Sequence, residues 1–178
     1  MSENDQTFFY RNISNVNKKV NLILFYSTAV PVVFSILTAL GLWIVPHSYS
    51  LSVFLYALIT SLVYRILIKK NVNPFFLMYF GIFVTSGMIF LLGFSGVITI
   101  TISFALPPLI SCLYYNRKVS IATTTFCFIL SVIAYWNRSF SVPLVVNKVL
   151  TPSVWFFKNI TGLVIEYIFL FIITYYLS

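Results

Sequence analysis

Six long apolar stretches, separated by short breaks, make up most of this 178-residue chain. A helix needs about twenty apolar residues to cross the hydrocarbon core of a bilayer, and each stretch approaches or exceeds that length. Backbone groups in lipid must be hydrogen-bonded within the protein, so only helices and closed barrels can cross, and long runs without alternation exclude a barrel. The sequence therefore predicts an all-α, polytopic, multi-pass membrane protein with six transmembrane helices, at residues 20–45, 51–68, 74–92, 97–115, 119–136 and 157–177.

The composition indicates whether lipid or water surrounds most of the chain. Hydrophobic residues make up 60% and charged residues 8% of it, whereas a soluble domain is about a quarter charged. We therefore expect the lipid bilayer to be its main partner. The net charge of +8 raises the question of nucleic acid, but the basic residues lie in the gaps between apolar stretches and form no patch. We predict no nucleic-acid binding.

The distribution of Lys and Arg among the gaps predicts the orientation of the helices. Eight bases lie before the first stretch and at or next to the gaps after the second and fourth, namely Arg11, Lys18, Lys19, Arg65, Lys69, Lys70, Arg117 and Lys118. The remaining gaps hold three, namely Arg138, Lys148 and Lys158. Because basic loops stay on the cytoplasmic side, we predict that both termini are cytoplasmic. Residues 1–19 would then form a cytoplasmic tail and residues 20–178 the membrane domain.

Three of the predicted helices carry a stripe of small or hydroxylated residues. The stripes are Ser52, Tyr56, Thr60 and Tyr64; Thr99, Ser103, Pro107 and Ser111; and Ser120, Thr123, Cys127 and Ser131. Residues at this spacing share one helix face, and in membranes such faces are where helices meet. We expect the stripes to face inward, either as plain interhelical contacts or as the lining of a pocket for a small ligand.

Three prolines lie inside predicted spans. Pro31 is in the middle of the first, and Pro107 and Pro108 are in the fourth. Each removes a backbone hydrogen bond and is expected to kink its helix. Broken helices can frame a cavity or act as a hinge, but proline is also ordinary in membrane helices.

Glu166 is the one carboxylate beyond residue 5, and it lies near the middle of the last predicted span. An acid at that depth costs roughly 2.5–3.5 kcal/mol on insertion scales, so it should face the bundle interior, neutral or paired. Arg65 is a candidate partner, although it lies nearer the cytoplasmic end of its helix. The alternatives are a neutral carboxyl bonded to a neighbouring hydroxyl and a role in binding or signalling.

The sequence offers few residues of the kinds that form catalytic sites. The chain has no second buried acid, no buried histidine and no Ser, His and Asp set, and His47 lies in a predicted outer gap. Cys112 and Cys127 lie inside apolar stretches, which indicates neither a disulfide framework nor a zinc site. We therefore predict no enzyme activity, no cofactor and no metal.

Two segments resemble a family of bacterial signalling proteins. The stretch FALPPLISCLYYNRKVSIATTTFCFILSVIAY, from Phe104 to Tyr135, has a proline-bearing helix that ends in an aromatic, Asn and basic turn. The motif IEYI, from Ile165 to Ile168, follows an outer loop with a tryptophan. Both are similar to the six-span amino-terminal membrane sensor modules of low-GC Gram-positive signalling proteins.

In that family the last helix continues into a cytoplasmic histidine kinase, diguanylate cyclase or chemotaxis-type output domain. The resemblance therefore implies a sensor or signal-relay module in the bacterial inner membrane, without the output domain, in which the sixth helix transmits a shift. It also implies a homo-oligomer or a separate cytoplasmic output protein as partner. Two alternatives stay open: the substrate-binding subunit of a vitamin-type importer, and an accessory or immunity-type membrane protein.

Overall fold

The computed structural model describes residues 3–42, 45–94, 101–141 and 151–178, with side chains from Phe8 onward and, beyond residue 94, from Ser103. These residues are helical and contain no strand, which confirms the all-α class. The helices are α1 (Glu3–Ser27), α2 (Ala29–Ala39), α3 (His47–Lys69), α4 (Pro74–Phe94), a 3-10 turn (Thr101–Ala105), α5 (Leu106–Cys112), α6 (Arg117–Ser139) and α7 (Pro152–Leu177).

Five helical segments of the described chain are long and apolar enough to cross a membrane. They are Phe8–Ala39, which joins α1 and α2, and the four helices α3, α4, α6 and α7. This confirms a multi-pass membrane architecture, while the predicted cytoplasmic location of both termini stays a prediction. The chain divides into two compact units, Met1–Met88 and Ile89–Ser178, which we call unit 1 and unit 2.

In unit 1, the first helix begins at Glu3 and not near residue 20. The expected tail, residues 1–19, is therefore helical over most of its length. Its apolar and amide residues recur every three or four positions, and one face is buried: Ile13, Val16, Asn17, Val20 and Leu24. A face with this spacing packs as one side of a helix, so the basic residues Arg11, Lys18 and Lys19 lie on its other sides.

Pro31 interrupts the first span, as its position predicts. Pro31 has no N–H to donate to the carbonyl four residues earlier, that of Ser27, and α1 ends at Ser27. The hydroxyls of Ser27 and Thr28 donate to the carbonyls of Leu24 and Phe25, both at 2.6 Å. The break thus lies one turn before the proline, and α2 resumes at Ala29.

The carbonyl of Pro31 joins α2 to α3. It accepts hydrogen bonds from the hydroxyls of Ser35 at 3.0 Å and Ser50 at 2.9 Å. The buried face of α3 continues from Ser50 through Val53, Ala57, Ser61 and Tyr64. The predicted stripe on this helix is therefore only partly right: Tyr64 is buried, but Ser52 is exposed.

In unit 2, the described part of the fourth predicted span is the 3-10 turn followed by the seven-residue helix α5. Pro107 and Pro108 lie at the start of α5, where their missing N–H groups are least costly, and Tyr115 ends the segment with a left-handed φ of 50°. The helix changes from 3-10 to α form next to these prolines, and whether they kink a spanning helix stays a prediction. Residues 97–100, which include Thr99 of the predicted stripe, lie outside the described part.

The helices α6 and α7 form the main packing contact of unit 2. The predicted stripe on α6 is confirmed, since Ser120, Thr123, Cys127 and Ser131 are all buried. Ser103, Pro107 and Ser111 are buried as well. α7 begins at Pro152, five residues earlier than expected. Its buried residues are Leu163, Tyr167, Leu170 and Thr174, a narrow stripe along one side.

Candidate functional site

Two pairs of hydroxyls connect α6 to α7. The oxygens of Ser131 and Tyr167 lie 2.8 Å apart, and those of Thr124 and Thr174 lie 3.3 Å apart. Both residues of each pair are buried. Because Ser131 donates its proton to the carbonyl of Cys127 at 2.8 Å, Tyr167 is the donor in the first pair. These contacts fix the register of the two antiparallel helices.

Apolar contacts fill the space around these hydroxyls. Cys127, Leu163 and Leu170 form a buried cluster with Tyr135 and Tyr167. The ring of Phe128 meets that of Tyr167 edge to face with centroids 5.1 Å apart. At the other end of the cluster Trp155 stacks on Tyr135 at 6.1 Å. One side of α7 is therefore fixed by packing.

Glu166 lies just outside this packed stripe. It precedes the buried Tyr167, and one residue corresponds to a rotation of about 100° around a helix, so its side chain is exposed. The expectation that Glu166 faces the interior is wrong. Its carboxylate has no hydrogen bond or ion-pair partner among the described residues of unit 2. The acid is carried near the middle of an apolar helix, on a face that the unit leaves open.

A groove of about 420 Å³ begins at this carboxylate. α7 forms one wall, and the end of the 3-10 turn forms the other; the lining residues are Phe104, Ala105, Glu166, Tyr167, Phe169, Leu170 and Ile173. Ala105, the last residue of the turn, packs against the buried cluster of α6 and α7. That the prolines of a broken helix frame a cavity stays a prediction.

The groove combines one carboxylate with three aromatic rings, those of Phe104, Tyr167 and Phe169. Aromatic faces attract cations, more strongly where water is excluded, and a carboxylate inside a membrane is stabilised by a cationic partner. The chemistry therefore suits an organic cation that has an apolar body.

Two arginines of α6 have roles that the sequence did not indicate. The sequence predicts that Arg138 is in an outer loop, but it lies in the last turn of α6 with 2% of its surface exposed. Its guanidinium carbon is 5.7 Å from the ring centroid of Tyr135. At the opposite end Arg117 lies 4.3 Å from the ring centroid of Tyr175 and donates to its hydroxyl at 3.4 Å. The buried position of Arg138 continues the stripe, since it lies seven residues after Ser131.

The other predicted residues, Pro31 and Arg65, belong to unit 1. Arg65 is exposed on α3. Pro31 lines a second groove, of about 430 Å³, together with Val32, Ser35, His47, Ser50, Leu51 and Phe54. The structure therefore places Glu166 on one groove and Pro31 on another, and Pro107 and Pro108 line neither of the two.

Buried polar contacts at the opposite end of α3 were also missed. Tyr64 is fully buried, and its hydroxyl lies 3.2 Å from Oδ1 of Asn17 and 3.1 Å from the carbonyl of Leu77. Asn17 in turn donates to the carbonyl of Pro74 at 3.0 Å. The period of the apolar residues in α1 could have revealed this face, because Asn17 falls between Val16 and Val20 on it.

No group of three His, Cys, Asp or Glu side chains in the described part of the chain could hold a metal ion. Comparison with known proteins finds no matching protein-family profile, no similar curated protein and no similar solved structure.

Proposed function

We propose that this chain is a membrane sensor or signal-relay module in which α7 responds to a ligand bound at Glu166. The ligand class is an organic cation with an apolar body. The observation that carries the proposal is the carboxylate of Glu166, unpaired in its unit and set among aromatic rings in a groove on the open side of α7. The resemblance of residues 104–135 and 165–168 to bacterial sensor modules supports the same class of function.

The groove lies between two elements whose separation could change. A ligand in it contacts α7 on one side and the 3-10 turn on the other. Only one side of α7 is held by packing, and a ligand shifts a conformational equilibrium by as much as it prefers one state. A cation bound at Glu166 would therefore favour the position of α7 that brings the carboxylate and the rings closest to it.

Binding is tested with tetraphenylphosphonium and purified protein in lipid nanodiscs. We expect Glu166→Gln to lower its affinity about tenfold, which corresponds to about 1.4 kcal/mol of lost charge attraction. The matched control is Ile168→Gln, which places an amide on the exposed face of α7 outside the groove and should leave the affinity unchanged. Equal affinity of the wild type and Glu166→Gln would refute the site.

The relay is tested separately by a distance measurement. Spin labels at Ile121 on α6 and Tyr176 on α7, both exposed, report on α7 after Cys112 and Cys127 are replaced by serine. Tetraphenylphosphonium should change the distance distribution in this background and leave it unchanged when Glu166 is also replaced. Binding without any change in distance would favour a binding protein over a relay.

A transport component is the second candidate, and the groove at Pro31 favours it. That groove is similar in volume and has the hydroxyls of Ser35 and Ser50 and the imidazole of His47 on its lining. Polar groups of this kind suit a neutral vitamin-like substrate better than a cation. A rise in melting temperature with one such molecule, abolished by Ser50→Ala and unaffected by Glu166→Gln, would favour this reading.

A further inference from the structure

A third cavity, in unit 1, differs from both grooves in its polarity. It is a cleft of about 370 Å³ between α1 and the turn that joins α3 to α4. Its polar lining residues are Tyr10, Ser14, Asn17, Lys18, Asn71 and Asn73. Three of them carry amides, two carry hydroxyls and one carries an ammonium group, so the cleft offers several hydrogen-bond donors.

The walls of the cleft are fixed by internal bonds. Asn17 is 2% exposed and is held between the carbonyl of Pro74 and the hydroxyl of Tyr64. The turn has a defined conformation: Asn71 adopts a left-handed φ of 52°, and the N–H of Val72 donates to the carbonyl of Leu67 at 3.2 Å. This is a common way to end a helix. The cleft is therefore formed by the fold and does not need a ligand to shape it.

The charge around the cleft has one sign. Lys18 lines it, Lys19 is exposed beside it on α1, and Lys69 and Lys70 are exposed where α3 ends. No carboxylate occurs among the side chains that the structure describes in unit 1, from Phe8 to Met88. The lysines therefore give the local potential a sign that favours an anion.

The position of the cleft relative to the membrane indicates which class of anion can reach it. α3 and α4 are each long and apolar enough to cross a membrane, and the short turn between them must lie at a membrane surface. Lipid phosphates lie at that level, and basic pockets between membrane helices bind anionic head groups.

We propose that this cleft binds the phosphate group of an anionic lipid, with Lys18 as its charged contact and the amides of the turn as neutral donors. A head group in this position contacts α1 and the α3–α4 turn together. It would therefore hold the amino-terminal part of α1 against the rest of unit 1.

The test measures binding of short-chain phosphatidylglycerol to the full chain in a neutral detergent, with phosphatidylcholine and inorganic phosphate as competitors. We expect Lys18→Gln to weaken binding about tenfold, as for the loss of one charged contact. Lys19→Gln is the matched control, because it removes the same charge one residue away from a side chain that does not line the cleft; it should change binding less than about twofold. Ser14→Leu fills the cleft without changing the charge and should weaken binding as well.

The competitors distinguish the sources of phosphate. Competition by inorganic phosphate at similar concentration would show a phosphate site filled from solution and overturn the lipid assignment. Binding of phosphatidylglycerol that neither competitor displaces supports the lipid site. Equal effects of Lys18→Gln and Lys19→Gln, or equal competition by phosphatidylcholine, would overturn the proposal, because binding would then follow surface charge or bilayer contact alone.

Discussion

The hydroxyl of Tyr167 donates a hydrogen bond to Ser131 across the interface between α6 and α7, at 2.8 Å, while the residue before it, Glu166, faces out of the unit. These two consecutive residues thus have different roles in α7. Tyr167 fixes α7 to its partner helix, and Glu166 places a charge on the open side.

Replacing Tyr167 with Phe should destabilise unit 2 modestly. The substitution removes the donor to Ser131, but Ser131 keeps its bond to the carbonyl of Cys127, so no buried donor is left without a partner. Hydrogen bonds between membrane helices contribute about 0.6 kcal/mol on average and up to about 1.7 kcal/mol, and we expect a loss in that range. Unfolding in mixed micelles measures it. Tyr176→Phe, at a side chain that is 81% exposed, is the control, and equal stability of the two variants would contradict the prediction.

Gly81→Ala should be more harmful than Gly162→Ala. A Cβ atom at position 81 would lie 2.8 Å from the hydroxyl of the fully buried Tyr64, which is held by Asn17 and Leu77. Crowding of this kind costs about 1–3 kcal/mol. At position 162 nothing lies within 4 Å of the new atom, and alanine is the better helix former. The melting temperatures of the two variants test this prediction. Similar values would contradict it, because they would show that Tyr64 moves aside at no cost.

Glu166→Leu should ease insertion of α7 into the membrane. An exposed acid near the middle of a span is unfavourable by about 3 kcal/mol on insertion scales, and leucine removes that cost. The measurement is the inserted fraction of α7 in a glycosylation-based translocation assay, with Ile165→Leu as a neutral control. Glu166→Gln should also leave the folded protein intact. Loss of stable protein in either Glu166 variant would mean that the carboxylate has a structural partner.

Impermeant thiol labelling can decide whether the chain crosses six times. The positive-inside pattern predicts that Lys70 and Lys118 lie on the cytoplasmic side and His47 on the outer side. If the segment that contains α5 does not cross, Lys118 would lie on the side opposite Lys70. Single cysteines are placed at these positions in a background with Cys112 and Cys127 replaced by serine. Lys70→Cys and Lys118→Cys should be labelled from the cytoplasmic side, and His47→Cys from the outer side. Labelling of Lys118→Cys from outside would reduce the number of crossings to five.

The sequence predicted the helical class and most spans because hydropathy directly reports which segments can lie in lipid. It could not predict the geometry of residues 101–115, since hydropathy does not register that the helix changes from 3-10 to α form next to Pro107 and Pro108. It also missed the helix before Val20, because Asn17 counts as polar in composition although its amide is satisfied by Pro74 and Tyr64.

The candidate site was only partly predictable. Glu166 stood out as a lone acid, but which side of α7 it faces depends on the packed stripe, and a shift of one residue moves a side chain by about 100°. Hydroxyl spacing predicted the inward face of α6 correctly, because Ser120, Cys127 and Ser131 repeat with the helical period. The cleft at Lys18 depends on contacts between distant segments, which no local pattern reports.

The hydroxyl pairs that join α6 and α7 have a consequence for how the two helices can slide. The pairs are separated by seven residues on each helix, from Thr124 to Ser131 and from Tyr167 to Thr174. A displacement of α7 along its axis would therefore lengthen both contacts by the same amount. Sliding of α7 is thus opposed at two points along the interface together, about two helix turns apart.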